Sequence, residues 1–160
     1  MEAREITAGS LLLAQHKTIA CAESCTGGLL TSRLTDIAGS SSYVMGSVVS
    51  YTNEIKERLV GVQHETLLAH GAVSEETARE MAEGIRRAIL TDVGVGITGI
   101  AGPGGGTDTK PVGLVYIAVA TAAGTTVTRN VFSGSRTENK RSSTEKALAM
   151  VIDALQEKNT

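Results

Sequence analysis

Aromatic residues are scarce in this sequence, and positive charge is not in excess. Aromatic side chains make up 2% of the 160 residues, with one phenylalanine and no tryptophan. Proteins that bind single-stranded nucleic acid stack the bases on aromatic side chains. The 15 lysines and arginines are outnumbered by 17 acidic residues, so the positive surface that neutralises phosphates is also missing. We therefore predict that nucleic acid is not a partner.

Cysteines, signal sequences and long apolar runs are also missing or few. Cys21 and Cys25 are the only cysteines, and no second Cys/His pair occurs at zinc spacing, so we predict no structural zinc site. Residues 1–5 are charged where a signal peptide needs an apolar run. The apolar runs at 44–49 and 114–123 are far shorter than the roughly 20 residues of a membrane helix. These features predict a cytoplasmic protein without a membrane partner.

The remaining composition is that of a folded α/β protein. Hydrophobic residues make up 41% of the chain and charged residues 20%, which excludes disordered and collagen-like classes. We predict one domain over residues 1–160, because the length is too short for two ordinary domains. We also expect a homo-oligomer, since a small aliphatic core gains stability by burying more apolar surface between copies.

Hydrophobic periodicity predicts alternating helices and strands. The order indicates a three-layer α/β/α sandwich with a mostly parallel sheet that carries an antiparallel hairpin. Asn53 is a good N-cap for the third helix, and Ser74 precedes the clearest helix. The predicted strands are 18–22, 44–51, 93–98, 114–122 and 126–132, and the predicted helices are 6–16, one after Gly28, 53–59, 64–69, one from Ser74 and one from Thr137.

Three loops that follow predicted strands carry the residues that could perform chemistry. They are residues 23–28, 51–56 and 99–113, and if the strands are parallel, all three lie at one edge of the sheet. Ser24, Tyr51 and Lys56 would then be neighbours. A desolvated lysine can be neutral and take the proton of a serine nucleophile, with a tyrosine hydroxyl as a possible relay.

Ordinary structural roles compete with this interpretation. Ser24 can be a helix N-cap, and Lys56 can be a solvated surface residue. Cys25 is an alternative nucleophile, with His16, His64 or His70 as its base. The S-x-x-K match at residues 143–146 lies in an amphipathic helix without the supporting K-T-G motif, so we interpret it as structural.

The glycine-rich loop at 99–113 is a candidate anion site. Its Gly102-Pro-Gly-Gly-Gly106 run is neither a P-loop nor a dinucleotide-binding fingerprint, but its N–H groups could hold a phosphate or a carboxylate. Basic residues at the start of the last helix could add fixed charge. They are Arg136, Lys140 and Arg141.

Several longer motifs in register resemble the CinA C-terminal domain family, also described as a nicotinamide-nucleotide amidohydrolase family. They are AESCTGG at 22–28, DIAGSS at 36–41, VSYTNE at 49–54, HGAVS at 70–74, GIAGP at 99–103 and KPVG at 110–113. The resemblance covers essentially the whole chain from about Ile6. It implies hydrolysis of the carboxamide of nicotinamide mononucleotide to nicotinic acid mononucleotide and ammonia, without a metal or organic cofactor.

By this resemblance Ser24, Tyr51 and Lys56 are the catalytic residues. The expected substrate-binding residues are Gly27, Thr98, Gly99, Gly102, Gly104, Gly105, Arg136, Lys140 and Arg141. One departure is Lys140, which stands where the family pattern leads us to expect a second arginine. A non-catalytic binding module in competence or damage response, or a hydrolase of another small amide, remain as alternatives.

Overall fold

The structure, a computed structural model, describes residues 1–157. The last three residues of the predicted domain lie outside the described part. The helices are α1 (Arg4–Ala14), α2 (Leu29–Thr35), α3 (Asn53–Val60), α4 (His64–His70), α5 (Glu75–Ile89) and α6 (Arg136–Gln156), with a 3₁₀ turn at Ser40–Ser42. The strands are β1 (Ile19–Glu23), β2 (Val44–Val49), β3 (Val93–Gly99), β4 (Leu114–Thr121) and β5 (Gly124–Val131).

The five strands form one mixed sheet in the order β2-β1-β3-β4-β5. Strands β2, β1 and β3 are parallel to one another, because helices connect them. The glycine-rich loop contains no helix and returns the chain antiparallel as β4, and the β4–β5 hairpin adds a second antiparallel pairing. The predicted three-layer α/β/α fold with an antiparallel hairpin is confirmed, with its parallel part made of three of the five strands.

The two helical layers are placed by the alternation of side chains along the strands. Ile19 and Cys21 face the larger core, which is built with α1, α2 and α6. Ala20 and Ala22 face the opposite layer, which includes α3 and α5. The predicted site residues therefore lie at the end of the sheet, between the two helical layers that pack on its faces.

Helix and hairpin boundaries differ from the prediction in details that local chemistry explains. Ser74 caps α5 as predicted, accepting the N–H of Thr77 at 3.1 Å. Asn53 is not the N-cap of α3, because Thr52 takes that role and accepts the N–H of Ile55 at 3.2 Å. Helix α6 begins one residue earlier than predicted, after the capping box of Ser135. The hairpin turn lies at residues 122–123, one position before the predicted turn.

Small residues on the sheet let α5 lie unusually close to it. These are Ala20, Ala22, Gly94, Gly96, Ala118 and Ala120. A Cβ atom at Gly96 would lie 2.5 Å from the carbonyl oxygen of Ala78 and 2.7 Å from the backbone nitrogen of Ala82. Both atoms belong to the α5 backbone, so they cannot move aside as a flexible side chain could.

Gly96→Ala should therefore destabilise the fold through overpacking, lowering the free energy of unfolding by about 1–3 kcal/mol. Urea denaturation measures this change. Gly104→Ala is the matched control, because a Cβ at Gly104 meets no atom within 4 Å, and its stability should stay within about 0.5 kcal/mol of wild type. Equal stability of the two variants would contradict the close approach of α5.

Candidate functional site

The carboxyl ends of the three parallel strands meet at one edge, as the sequence predicts. The Ser24 N–H donates to the Ile97 carbonyl at 3.0 Å, and the Ser50 N–H donates to the Glu23 carbonyl at 2.8 Å. The chain segments that leave β1, β2 and β3 are thus hydrogen-bonded side by side. A cleft of about 280 Å³ opens above them. The residues that line it are Ser24, Cys25, Tyr51, Asn53, Lys56, Ala72, Val73, Thr98, Gly99, Ile100, Ala101, Gly102, Gly104, Gly105 and Arg136.

Ser24 and Lys56 are in direct contact. Ser24 is the first residue after β1, and Lys56 lies on the buried side of α3. The Lys56 Nζ atom lies 3.1 Å from the Ser24 Oγ atom. Its second contact is with the backbone carbonyl of Tyr51, to which it donates at 3.0 Å. A neutral amine suits these two contacts, because it can donate an N–H to the carbonyl and accept the serine proton with its lone pair.

The surroundings of Lys56 disfavour its charged form. Its exposed fraction is only 2%, and no carboxylate among residues 1–157 forms an ion pair with it. Burial lowers the pKa of the Lys56 ammonium below its ordinary value of 10.5. A lysine shifted in this direction, beside a hydroxyl in a cleft, has the properties of a general base.

Tyr51 contributes to the cleft in two separate ways. Its backbone carbonyl accepts the hydrogen bond from Lys56, whereas the residue is 60% exposed and its side chain lies at the mouth of the cleft. The Tyr51 hydroxyl accepts a hydrogen bond from the Arg136 guanidinium at 3.4 Å. Arg136 also donates to the Gly102 carbonyl at 2.7 Å, so it links the two sides of the mouth. The contact between Lys56 and Ser24 itself needs no tyrosine relay.

The glycine-rich loop forms the opposite wall of the cleft. Thr98, at the end of β3, donates its hydroxyl to the Ala72 carbonyl at 2.8 Å. Gly99, Gly102, Gly104 and Gly105 all line the cleft. Their lack of side chains leaves backbone groups facing the space above Ser24.

Three other residues predicted to bind substrate do not line the cleft. The Gly27 N–H donates to the Ser24 carbonyl at 3.1 Å, so this N–H is already engaged within the turn at residues 24–28. The Lys140 Nζ atom lies beside this turn, 3.7 Å from where a Cβ of Gly27 would be. Arg141 faces a different groove, between α6 and the α1–α2 side, because it is one residue further around the helix than Lys140. The helical rotation therefore separates Arg141 from the cleft.

The alternative nucleophile Cys25 has no histidine beside it. Burial raises the pKa of the Cys25 thiol to about 12, so the reactive thiolate is disfavoured at neutral pH. His64 lies 2.6 Å from Glu57, and His70 lies 3.7 Å from Glu76. Neither histidine, nor His16, lines the cleft. These positions favour Ser24 over Cys25.

The S-x-x-K match at 143–146 is structural, as predicted. The Ser143 hydroxyl donates to the Asn139 carbonyl one turn earlier in α6 at 2.7 Å. Lys146 lies in grooves away from the cleft.

Asn139 is a buried residue of the site that sequence reasoning missed. Its side-chain amide donates to the Ala101 carbonyl at 3.0 Å and accepts the Gly134 N–H at 2.9 Å. It therefore fastens the glycine-rich loop to the start of α6. The first half of the buried face of α6 is polar, with Asn139, Ser143 and Thr144, so the sequence carried no distinctive signal for Asn139.

The described residues contain neither an obvious metal centre nor a membrane span. No group of three or more His, Cys, Asp or Glu side chains within residues 1–157 is gathered as metal ligands would be. No helix of this part combines the length and apolarity needed to cross a membrane.

Comparison with known proteins places this fold and cleft in a family. The profile of the CinA C-terminal domain matches residues 2–155. A CinA-like protein of Chloroherpeton thalassium is 50% identical over 151 residues, which are 92% of this chain and 36% of that protein. The chain thus spans about a third of the length of the curated relatives it matches.

Two crystal structures have the same fold over nearly the whole chain. The competence/damage inducible protein CihA of Agrobacterium tumefaciens has a TM-score of 0.91 and 39% identity, covering 98% of this chain and 100% of its own. The competence damage-inducible protein A (ComA) of Klebsiella pneumoniae has a TM-score of 0.92 and 32% identity, covering 95% and 94%. With its sequence profile and its structure both matched, this chain belongs to the CinA C-terminal domain family.

Proposed function

We propose that this protein hydrolyses the carboxamide of nicotinamide mononucleotide through an acyl-enzyme on Ser24. The observation that carries the proposal is the 3.1 Å contact between the Ser24 hydroxyl and the buried amine of Lys56. A nucleophile and a base in this contact are the minimum needed for acyl transfer. A binding module has no need to bury a lysine without a counter-ion.

The first half-reaction forms an ester. Lys56, as a neutral amine, takes the Ser24 proton while Oγ attacks the carboxamide carbon. The Lys56 ammonium then returns this proton to the departing nitrogen, the C–N bond breaks, and ammonia leaves. The nicotinoyl group, which still carries the ribose phosphate, remains on Ser24 as an ester.

The second half-reaction hydrolyses the ester with the same groups. Lys56 takes a proton from water, the hydroxide oxygen attacks the ester carbon, and the Ser24 oxygen leaves with the proton held by Lys56. The products are nicotinic acid mononucleotide as its carboxylate, a released proton, and free Ser24.

Backbone N–H groups of the turn stabilise the oxyanion of each step. The Gly27 N–H is already donated to the Ser24 carbonyl. Those of Cys25 and Thr26, which directly follow the nucleophile, are the donors we assign, because hydrolases use the N–H after the nucleophile in this role.

Ammonia release tests the proposal. Purified protein is incubated with nicotinamide mononucleotide, and ammonia and nicotinic acid mononucleotide are quantified in parallel; equal amounts of both are expected. Nicotinamide and other small amides serve as comparison substrates. Absence of ammonia from the mononucleotide would overturn this function, and faster hydrolysis of another amide would assign the site to that substrate.

Arg136 should contribute to binding the substrate phosphate, because its guanidinium stands at the mouth of the cleft. Arg136→Ala is expected to raise KM for the mononucleotide about tenfold, as loss of one charge-assisted hydrogen bond predicts, with little change in kcat. KM and kcat are measured separately. Arg141→Ala is the matched control, since Arg141 faces another groove. A lower kcat at constant KM would show that Arg136 holds the glycine-rich loop instead.

A further inference from the structure

Glu23 is a buried acid immediately before Ser24, and the proposed reaction does not use it. Its exposed fraction is 0%, at the last position of β1. A carboxylate removed from water requires hydrogen-bond donors or a cation to compensate its lost hydration. No cation among residues 1–157 forms an ion pair with it.

Hydrogen-bond donors in the turn at residues 24–28, which we call the serine turn, and in α2 compensate this carboxylate. Oε1 accepts from the Thr26 hydroxyl at 2.7 Å and from the Leu30 N–H at 2.9 Å. Oε2 accepts from the Thr31 N–H at 2.9 Å, and the Thr31 hydroxyl lies 2.7 Å from the same oxygen. Both oxygens are thus engaged by the turn and by the first turn of α2.

These contacts tie together the two ends of the segment that contains the nucleophile. The segment 24–28 leaves β1 at Glu23 and enters α2 at Leu29. The same carboxylate holds a residue inside the turn, Thr26, and the helix that follows it. The Glu23 side chain therefore adds to the backbone hydrogen bonds of Ser24 and Gly27 in setting the position of the nucleophile relative to β1.

We propose that Glu23 is a positioning residue for Ser24, fixing the serine turn so that the hydroxyl stays in contact with Lys56. This inference rests on the proposed function, because it assigns Glu23 a part in the same reaction. Glu23 itself touches neither the base nor the cleft.

Glu23→Gln tests this role, because the glutamine carboxamide has nearly the same shape as the glutamate carboxylate but only one oxygen acceptor. Each carboxylate oxygen accepts one backbone N–H, from Leu30 or from Thr31. Whichever way the glutamine amide is turned, its NH₂ group faces one of these N–H groups, and two donors oppose each other. The residue 23 side chain or the first turn of α2 must then shift, and the turn at residues 24–28, which joins β1 to α2, shifts with it.

The expected result for Glu23→Gln is a fall in kcat of about 10²-fold, the cost of misplacing a reacting group by an ångström or so. KM and the shape of the pH profile should stay as in wild type, because Glu23 neither lines the cleft nor forms an ion pair with Lys56. A purely structural role would lower the melting temperature but leave kcat of the folded protein unchanged, which would overturn the proposal. A displaced pH profile would also overturn it, by showing an electrostatic effect on the base.

A second variant avoids the risk that Glu23→Gln fails to fold. Thr26→Val keeps the shape and removes one donor to Glu23, and it should lower kcat about tenfold, the cost of one hydrogen bond. Thr35→Val is the matched control: its hydroxyl donates only to α2 carbonyls, and it is exposed. Equal kcat in both threonine variants would contradict the proposal.

A crystal structure of the Glu23 or Thr26 variant separates this inference from the proposed function. The distance between Ser24 Oγ and Lys56 Nζ should lengthen from 3.1 Å to beyond hydrogen-bond range. An unchanged distance overturns the positioning role. If the wild type releases no ammonia from nicotinamide mononucleotide, the function fails, and this distance alone decides the role of Glu23.

Discussion

Replacing Lys56 with methionine should abolish hydrolysis and make the folded protein more stable. Methionine has a similar unbranched shape and fills the same buried space without charge. The loss of a general base should lower kcat by at least about 10³-fold. Removing the buried amine, which forms no ion pair within residues 1–157, should add about 0.5–2 kcal/mol to the free energy of unfolding at neutral pH.

The pH dependence of this stability difference follows from the lowered pKa of Lys56. Below the unfolded value of 10.5, the unfolded chain binds the Lys56 proton more strongly than the folded protein does. The free energy of unfolding of the wild type therefore falls as pH decreases from about 10.5 toward the pKa of Lys56 in the folded protein. The Lys56→Met variant has no amine at this position, so its stability does not fall for this reason. The stability advantage of the variant should be present at neutral pH and shrink as pH approaches 10.5.

Chemical denaturation at several pH values measures this effect, and wild-type kcat/KM should rise with pH as Lys56 loses its proton. Lys17→Met is the matched control, because Lys17 is exposed; its activity and stability should stay close to wild type. A Lys56→Met protein with normal turnover would remove Lys56 from the mechanism. A stability difference independent of pH would contradict the buried neutral amine.

Ser24→Ala should cost at least about 10³-fold in kcat, because no acyl-enzyme can form. The double variant with Lys56→Met should be hardly slower than either single variant, since nucleophile and base act as one unit. Steady-state kinetics gives these ratios, and mass spectrometry of quenched wild-type reactions should find on Ser24 the acyl group of the whole mononucleotide, the nicotinoyl group with its ribose phosphate.

Ser143→Ala is the control, because Ser143 is the serine of the S-x-x-K match, which lies in α6. Its hydroxyl bonds the helix backbone, so kcat should be retained. Near-normal turnover by Ser24→Ala would exclude the covalent scheme, and Cys25→Ser would then be the variant to examine.

Tyr51→Phe should lower kcat less than Ser24→Ala does, because the Tyr51 contact to Lys56 is made by the backbone carbonyl, which the substitution leaves in place.

The sequence alone determined the features that depend on local patterns. Alternating and helical periodicity placed each strand and helix to within a few residues, and the order of the elements specified the three-layer fold. The rule that parallel strands end at one edge brought Ser24 and Lys56 to the same region, although 31 residues separate them along the chain. The motifs around these residues also determined the family.

Only the tertiary structure decided how individual side chains are used. Lys56 is buried rather than solvated because α3 turns it against the end of the sheet, which no local pattern specifies. Lys140 and Arg141 are neighbours in the sequence, but one step along a helix rotates the side chain to a different side of α6. The clustering of basic residues in the sequence does not show which of them faces the cleft. The Asn139 amide bonds Ala101, which lies 38 positions away in the glycine-rich loop, so this hydrogen bond exists only after the elements have packed. The partners of Glu23 lie within eight positions of it, but they meet its carboxylate only because α2 folds back against β1.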